Sequence, residues 1–93
     1  MIRSFKSPEA KKIFRREHSR KLPPIIQRIA IRKLWILDAM MDLDEPRVPP
    51  GNHLEALRGD RTGQHSIRID RHWRICFRWQ LSNAHDVEIV DYH

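Results

Sequence analysis

The sequence has little of what defines disulfide-rich or membrane-embedded proteins. Its 93 residues include three glycines and a single cysteine, Cys76. One cysteine cannot form an intrachain disulfide, which excludes a disulfide scaffold and a multi-cysteine zinc site. No apolar run is long enough to span a membrane, and no apolar segment follows the first residues. We therefore expect a cytoplasmic protein with no signal peptide, no membrane association, no metal and no cofactor.

Lysine is missing from the later part of the chain, where every permanent cation beyond Lys33 is an arginine. Residues 1–37 carry a formal charge of +9, residues 38–50 carry −3, and residues 51–93 are neutral. The N-terminal part therefore suits a polyanion or an acidic partner, although solvated helix faces would explain the same charge. Five of the six histidines lie in the last 43 residues, where imidazole and guanidinium groups are combined.

The first half of the chain predicts two helices. The Ser7-Pro8-Glu9 segment is a helix start, and the helix is expected to continue to about Glu17. A second, longer helix begins at Pro23-Pro24 and ends in a loop with Pro46, Pro49, Pro50 and Gly51. Its apolar residues recur every three or four positions and predict a buried stripe. The stripe comprises Leu22, Ile25, Ile26, Ile29, Ala30, Leu34, Leu37, Met40 and Met41.

The second half predicts three antiparallel strands. Ser66–Asp70 and Trp73–Trp79 alternate with period two around a tight turn at Arg71-His72, and Asp86–Val90 follows a turn at Leu81–His85. Met1–Phe5 is a candidate for a further short strand. Two helices followed by a meander predict an α+β fold in one domain of residues 1–93. The helices are expected to cover one face of a small antiparallel sheet.

The alternation also assigns residues to the two faces of the sheet. Trp73, Ile75, Phe77 and Trp79 share the core face with Ile67 and Ile69, whereas Ser66, Arg68, Asp70, Arg74, Cys76 and Arg78 share the other face. Arginines on rigid strands can hold phosphates by bidentate hydrogen bonds. Cross-strand pairs of arginine and aspartate on a solvated face are the alternative.

Several segments resemble one family when they are taken in order. They are Met1–Phe5, the loop Gly51–Gly63, the strand Trp73–Trp79 with its Trp-Arg start, and the end Asp86–His93. Together they resemble the HigB toxins, a branch of the RelE/ParE superfamily of bacterial toxin–antitoxin systems. The resemblance implies a RelE-like fold and a metal-independent endoribonuclease that cleaves mRNA on the ribosome. It also implies a HigA-type helix-turn-helix antitoxin, with operator DNA bound only through the toxin–antitoxin complex.

The resemblance further implies the catalytic residues. His53, Asp91, Tyr92 and His93 match positions used for catalysis in these toxins, and Arg74 matches the arginine that stabilises transition-state charge. Independently, a metal-free ribonuclease needs a base, an acid and a cation at the phosphate, roles that histidine and arginine suit. We expect one of the two histidines to be the base and the other the acid. Tyr92 would position or donate a proton, and Asp91 would orient a histidine. Without the resemblance, a sheet-edge tyrosine and a solvated aspartate are the better explanation of these two residues.

Four further arginines are candidate RNA contacts: Arg58, Arg61, Arg68 and Arg78. For the two in the loop, pairing with Glu55 and Asp60 is the alternative. The wider RelE group uses active-site lysines, which this chain lacks after Lys33, so a cationic role falls to arginine or histidine. The main alternative function is a ParE-like toxin that binds DNA gyrase without cutting RNA. A plain nucleic-acid-binding module is a third reading.

Overall fold

A computed structural model describes residues 1–43 and 52–92 of the chain. Helix α1 spans Pro8–Phe14 and begins as predicted, since the Ser7 hydroxyl accepts a hydrogen bond from the amide of Ala10. The helix ends at Phe14 rather than Glu17. Arg16 has a φ of 66°, a left-handed conformation through which an α-helix cannot continue.

Helix α2 spans Pro24–Ala39 and buries the centre of the predicted stripe. Ile26, Leu34 and Leu37 are at most 1% exposed. The prediction was wrong for Ile25 and Met41, which are 80% and 71% exposed. Ile25 is rotated by about 100° from Ile26 and so leaves the buried face. No helix in residues 1–43 and 52–92 has the length and apolar content needed to cross a membrane. The loop predicted at Pro46, Pro49, Pro50 and Gly51 lies outside the described residues.

Within the described residues, the sheet contains four antiparallel strands in sequential order. They are β1 (Glu55–Ala56), β2 (Gln64–Arg68), β3 (Trp73–Gln80) and β4 (Asn83–Asp91). The two-residue β1 was not predicted, because so short a strand has no periodicity. β2 ends before Asp70, whose Oδ1 instead accepts hydrogen bonds from the amides of His72 and Trp73 and closes the turn. The next turn is only Leu81 and Ser82, both with positive φ, as in a type I′ hairpin.

A β-bulge at Asp86 decides which side chains of β4 face which way. Cys76 pairs with Glu88 and Arg78 pairs with His85, so β4 has one extra residue across this step. Asp86 has a φ of 52°, and its amide donates to the Ser4 hydroxyl. The extra residue lets Ala84 and Val87 both face the core. Beyond it, Glu88, Val90 and Tyr92 alternate onto the opposite face.

The N-terminal segment runs parallel to β4, beside the bulge. Isolated bridges join Ile2 to Ala84 and Phe5 to Val87, at the place of the predicted short strand. Both helices pack on the same side of the sheet, as predicted for this α+β fold, and share one core with the sheet. Ile67, Ile75 and Phe77 are fully buried there. Burial of side chains of this size contributes about 1.5–3 kcal/mol each.

Candidate active site

The other side of the sheet is named the outer face here and is defined by Ser66, Arg68, Arg74, Cys76, Glu88 and Tyr92. The strand register arranges these residues in rows across the sheet. Ser66, Cys76 and Glu88 form one row, and Arg68 and Arg74 lie side by side in the next. Ser66 and Cys76 are fully buried although they face away from the helices. Long polar side chains around them must therefore shield this part of the sheet from solvent.

Arg74 is held by two oxygen acceptors from different parts of the chain. Its Nε donates to the Ser66 hydroxyl at 2.7 Å, and its Nη2 donates to the carbonyl oxygen of His53 at 2.6 Å. Nη2 also lies 3.9 Å from a carboxylate oxygen of Glu55, and the Arg74 side chain is only 12% exposed. Two hydrogen bonds to a planar guanidinium fix both its position and its orientation. The cation is therefore fixed on the outer face before any ligand binds.

His53 approaches this arginine through its main chain. The residue has a φ of 45°, and its side chain is exposed. Its neighbour Asn52 is fully buried, and Asn52 Oδ1 accepts a hydrogen bond from Lys33 of α2. The loop is thus anchored at two consecutive residues, by Lys33 at the Asn52 side chain and by Arg74 at the His53 carbonyl. This places an imidazole in solvent at the edge of the arginine site.

Arg61 contributes a second guanidinium to the outer face. It ends a short 3-10 helix, Gly59–Arg61, and its Nη1 donates to Glu88 at 2.7 Å and to the Gln64 side chain at 3.1 Å. The hydrogen bond to Glu88 raises the pKa of Arg61. Lys6 lies 4.0 Å from the same carboxylate. Arg61 therefore pairs with Glu88 of β4 and not with Glu55 or Asp60.

Tyr92 completes the group around Cys76. Its amide donates to the carbonyl of His72, which extends the β3–β4 pairing by one residue, and its side chain is 38% exposed. Burial raises the pKa of the Cys76 thiol, while the positive charges of Arg61 and Arg74 and a hydrogen bond with Tyr92 oppose this rise. The phenol therefore lies on the outer face, close enough to Cys76 and Arg61 to influence the pKa of each.

The predicted catalytic residues are only partly brought together. Arg74 and Tyr92 share the outer face, and His53 meets Arg74 through its carbonyl. Asp91 pairs with Trp73 at the end of β4 and alternates onto the side of Ile89, away from Tyr92. His93 lies outside the described residues.

The three other predicted RNA-binding arginines, besides Arg61, differ in their surroundings. Arg68 is next to Arg74, and its Nε donates to the carbonyl of Asp70 at 3.1 Å. Arg78 lies further along β3, is 44% exposed and sits 3.7 Å from Asp86. Arg58 is exposed just before the 3-10 helix. The expected cluster of three strand arginines is therefore a close pair and a separate third member.

Two residues with defined roles on this face were not singled out in the sequence. Ser66 was assigned to the correct face but given no function, and Glu88 was seen only as part of the C-terminal segment. The hydroxyl contact depends on the β2–β3 register, which puts Ser66 diagonally opposite Arg74. The place of Glu88 depends on the bulge at Asp86. Neither feature leaves a signal in residue type alone.

A family model decides to which proteins this site belongs. The model for HigB-like toxins, described as RelE-like toxins of the type II toxin–antitoxin system HigB, matches residues 3–93. The chain belongs to the HigB-like toxin family. Toxin HigB-1 of Vibrio cholerae serotype O1 is 42% identical to this HigB-like toxin over 60 residues, which cover 64% of this chain and 63% of that protein. An uncharacterized protein of Haemophilus influenzae is 27% identical over 67 residues, or 72% and 66% of the two chains. The chain thus spans slightly less than two thirds of the length of either relative.

Solved structures share the fold of this HigB-like toxin at low sequence identity. A chain of the YoeB-YefM complex from Staphylococcus aureus superposes with a TM-score of 0.59 at 18% identity, over 100% of this chain and 98% of that one. YafQ from Escherichia coli gives 0.56 at 9% identity, over 98% and 93%. Identities this low establish the fold alone, and it is the RelE-like fold predicted from the sequence.

Proposed function

We propose that this HigB-like toxin is an endoribonuclease that cuts mRNA on the translating ribosome and so inhibits translation. The family gives the class of protein, a RelE-like toxin of a type II toxin–antitoxin system. The observation that carries the proposal is the fixed guanidinium of Arg74. It lies on the same face as Tyr92 and is hydrogen-bonded to the residue that presents an exposed imidazole, His53.

The proposed reaction uses the 2′-hydroxyl of RNA as the nucleophile. A base removes its proton, the oxygen attacks the adjacent phosphorus, and the bond from phosphorus to the 5′-oxygen breaks as an acid protonates that oxygen. The products are a 2′,3′-cyclic phosphate, or a 3′-phosphate after its hydrolysis, and a 5′-hydroxyl. Negative charge grows on the phosphoryl oxygens in the transition state, where a fixed arginine stabilises it most effectively.

Each residue has a proposed part in that reaction. Arg74 would bind the phosphoryl oxygens, and Tyr92 would position the substrate or donate a proton. His53 and His93 would share the roles of base and acid. Asp91, at the end of β4, would orient a histidine. It would do so from the face of the strand opposite to Tyr92.

The exposed imidazole of His53 supports a requirement for the ribosome. The site leaves this candidate proton-transfer group in solvent, so free RNA would approach it in many orientations. A ribosome that holds the mRNA would supply the missing orientation. The cationic N-terminal segment would attract ribosomal RNA, with Arg58, Arg61, Arg68 and Arg78 as further RNA contacts.

The proposed partner in the resting cell is a HigA-type helix-turn-helix antitoxin. Operator DNA would be bound through the complex of the two proteins, in the cytoplasm. Two observations support an antitoxin. The first is the family description, which names a type II toxin–antitoxin system. The second is that a chain of the heterotetrameric YoeB-YefM toxin–antitoxin complex of S. aureus shares this fold. The charge of +9 on residues 1–37 suits an acidic partner segment.

The test is to induce the chain in bacteria without an antitoxin and to map the 5′-hydroxyl ends of cellular mRNA. New ends confined to translated regions and in frame with codons are expected from the wild type and not from Arg74→Ala. Growth arrest with DNA damage and no new ends would instead indicate a gyrase-binding toxin. Ends that also appear in untranslated RNA would contradict the ribosome requirement.

A further inference from the structure

We propose that Ser66 is a positioning residue, whose hydroxyl sets the guanidinium of Arg74 for the reaction. The inference rests on the proposed nuclease function and deepens it. The Ser66 hydroxyl accepts a hydrogen bond from Arg74 and would act only through that residue.

The first support is the contact itself. Ser66 Oγ lies 2.7 Å from Arg74 Nε, and Ser66 is fully buried although it belongs to the outer face. A buried hydroxyl needs a hydrogen-bond partner, and a charged donor gives a stronger bond than a neutral one. The Ser66 hydroxyl therefore has Arg74 as its hydrogen-bond partner, on the side of the sheet opposite the apolar core.

The second support is the direction that the two acceptors impose. The Ser66 hydroxyl accepts a hydrogen bond from Nε of Arg74, and the His53 carbonyl oxygen accepts one from Nη2. Neither of these hydrogen bonds involves Nη1. The guanidinium plane is therefore tied along one edge, with Nη1 on the remaining side. Ordering of this long side chain occurs during folding and does not have to be repeated when the phosphate binds.

The third support is that the two acceptors belong to different elements of the fold. His53 lies in a loop and adopts a positive φ, whereas Ser66 lies on β2 and is paired with Cys76 of the central strand. Of the two acceptors, only Ser66 ties the guanidinium of Arg74 to a strand of the sheet. Without its hydroxyl, the guanidinium would follow the loop, and the distance between cation and phosphate would vary.

The kinetic experiment compares variants on ribosomes programmed with one mRNA, in single-turnover reactions normalised to folded toxin. Ser66→Ala is expected to lower the cleavage rate constant about 10- to 100-fold, with the half-saturating toxin concentration changed by less than about threefold. The matched control is Ser19→Ala, which removes an equally buried hydroxyl from the segment between the helices. It should leave the rate constant unchanged.

A second pair of variants covers the case in which Ser66→Ala does not fold. The variants are Ser66→Thr and Ser66→Val. Threonine and valine side chains have the same shape and both suit a strand, but only threonine has a hydroxyl. Threonine should retain a rate constant at least about tenfold above that of valine. Equal rates for the two variants, or a wild-type rate for Ser66→Ala, would overturn the role of Ser66.

A measurement without RNA separates this inference from the proposed function. The Nε proton of Arg74, followed by nuclear magnetic resonance, should exchange with water more slowly in the wild type than in Ser66→Ala. Unchanged exchange would overturn the inference even if the toxin cleaves mRNA. A wild-type toxin that cleaves no mRNA on ribosomes would overturn the nuclease function and, with it, the catalytic meaning of the Ser66 contact.

Discussion

Arg61 reaches across the outer face of the sheet to Glu88, with 2.7 Å between Nη1 and Oε1. The pair joins the loop before β2 to β4, and so crosses β3 on the outer face of the sheet. The Glu88 side chain is 13% exposed and that of Arg61 is 29% exposed. Removal of one partner from an ion pair with so little solvent exposure is destabilising, because the remaining charge is poorly solvated.

Loss of Arg61 should therefore destabilise the fold more than loss of an exposed cation. We expect Arg61→Ala to lower the free energy of unfolding by about 1–3 kcal/mol, less than for a fully buried pair because Arg61 keeps some solvent contact. Lys6→Ala, which removes a cation 4.0 Å from the same carboxylate at a largely exposed position, should cost less than about 1 kcal/mol. Urea unfolding measures both.

The double variant Arg61→Ala/Glu88→Gln tests the origin of this cost. It should be more stable than Arg61→Ala alone, because the poorly solvated carboxylate, left with only the distant Lys6 as a partner, has been removed. Strictly additive losses would show that the two side chains do not stabilise one another.

Arg74→Lys tests whether geometry or charge matters at the candidate active site. Lysine keeps the charge, but a single ammonium group cannot reproduce the planar fork that bonds Ser66 and His53 and still faces a phosphate. We expect mRNA cleavage to fall about 10²- to 10³-fold, close to the effect of Arg74→Ala. Arg71→Lys, in the exposed turn between β2 and β3, is the matched control and should cleave normally. More than half of the wild-type rate in Arg74→Lys would contradict a role for the fork.

The sequence predicted the faces of the sheet well, because alternation is a local property of a strand. Ile75 and Phe77 are buried in the core and Arg74 lies on the opposite side, as the period-two pattern indicated. The bulge at Asp86 was not predicted, since a left-handed residue in a strand is usually glycine and this one is held by Ser4, 82 positions away. Contacts that depend on distant register leave no local pattern.

The same distinction explains the candidate site. Arg74 and Tyr92 were singled out from a motif, and the strands bring them onto one face. The Ser66 contact and the Arg61–Glu88 pair depend on how β2, β3 and β4 align, which no single segment encodes. Asp91 was grouped with Tyr92 because both match catalytic positions in the resemblance to HigB toxins, yet neighbouring residues in a strand point to opposite faces.

Tyr92→Phe tests the phenolic hydroxyl. Phenylalanine keeps the ring, so the fold should be retained, but the variant cannot donate or relay a proton. We expect the cleavage rate to fall by about 10²-fold, in the range for loss of a proton-transfer group. The unfolding midpoint should stay close to that of the wild type, because the side chain is 38% exposed. An active Tyr92→Phe toxin would restrict Tyr92 to packing over Cys76.

Glu9 provides a prediction about acid stability that is independent of the nuclease site. The pKa of Glu9 is lowered chiefly by its hydrogen bond with the Ser19 hydroxyl, and Lys12 and Lys21 lower it further. Because the ionised form is favoured in the folded state, this carboxylate stabilises the protein above its ordinary pKa of 4.5. The stabilisation is lost as the pH falls through the lower pKa of the folded state.

The comparison is between the melting temperatures of the wild type and Glu9→Gln from pH 7 to pH 3, followed by circular dichroism. The wild type should be the more stable at pH 7, and the difference should narrow below pH 4.5 as Glu9 becomes protonated. In a Ser19→Ala background, the effect of Glu9→Gln on the melting temperature should depend less on pH. This is because Ser19→Ala removes the main cause of the lowered pKa of Glu9. A difference that stays constant over the whole range would mean that the contact between Glu9 and Ser19 does not favour the ionised carboxylate.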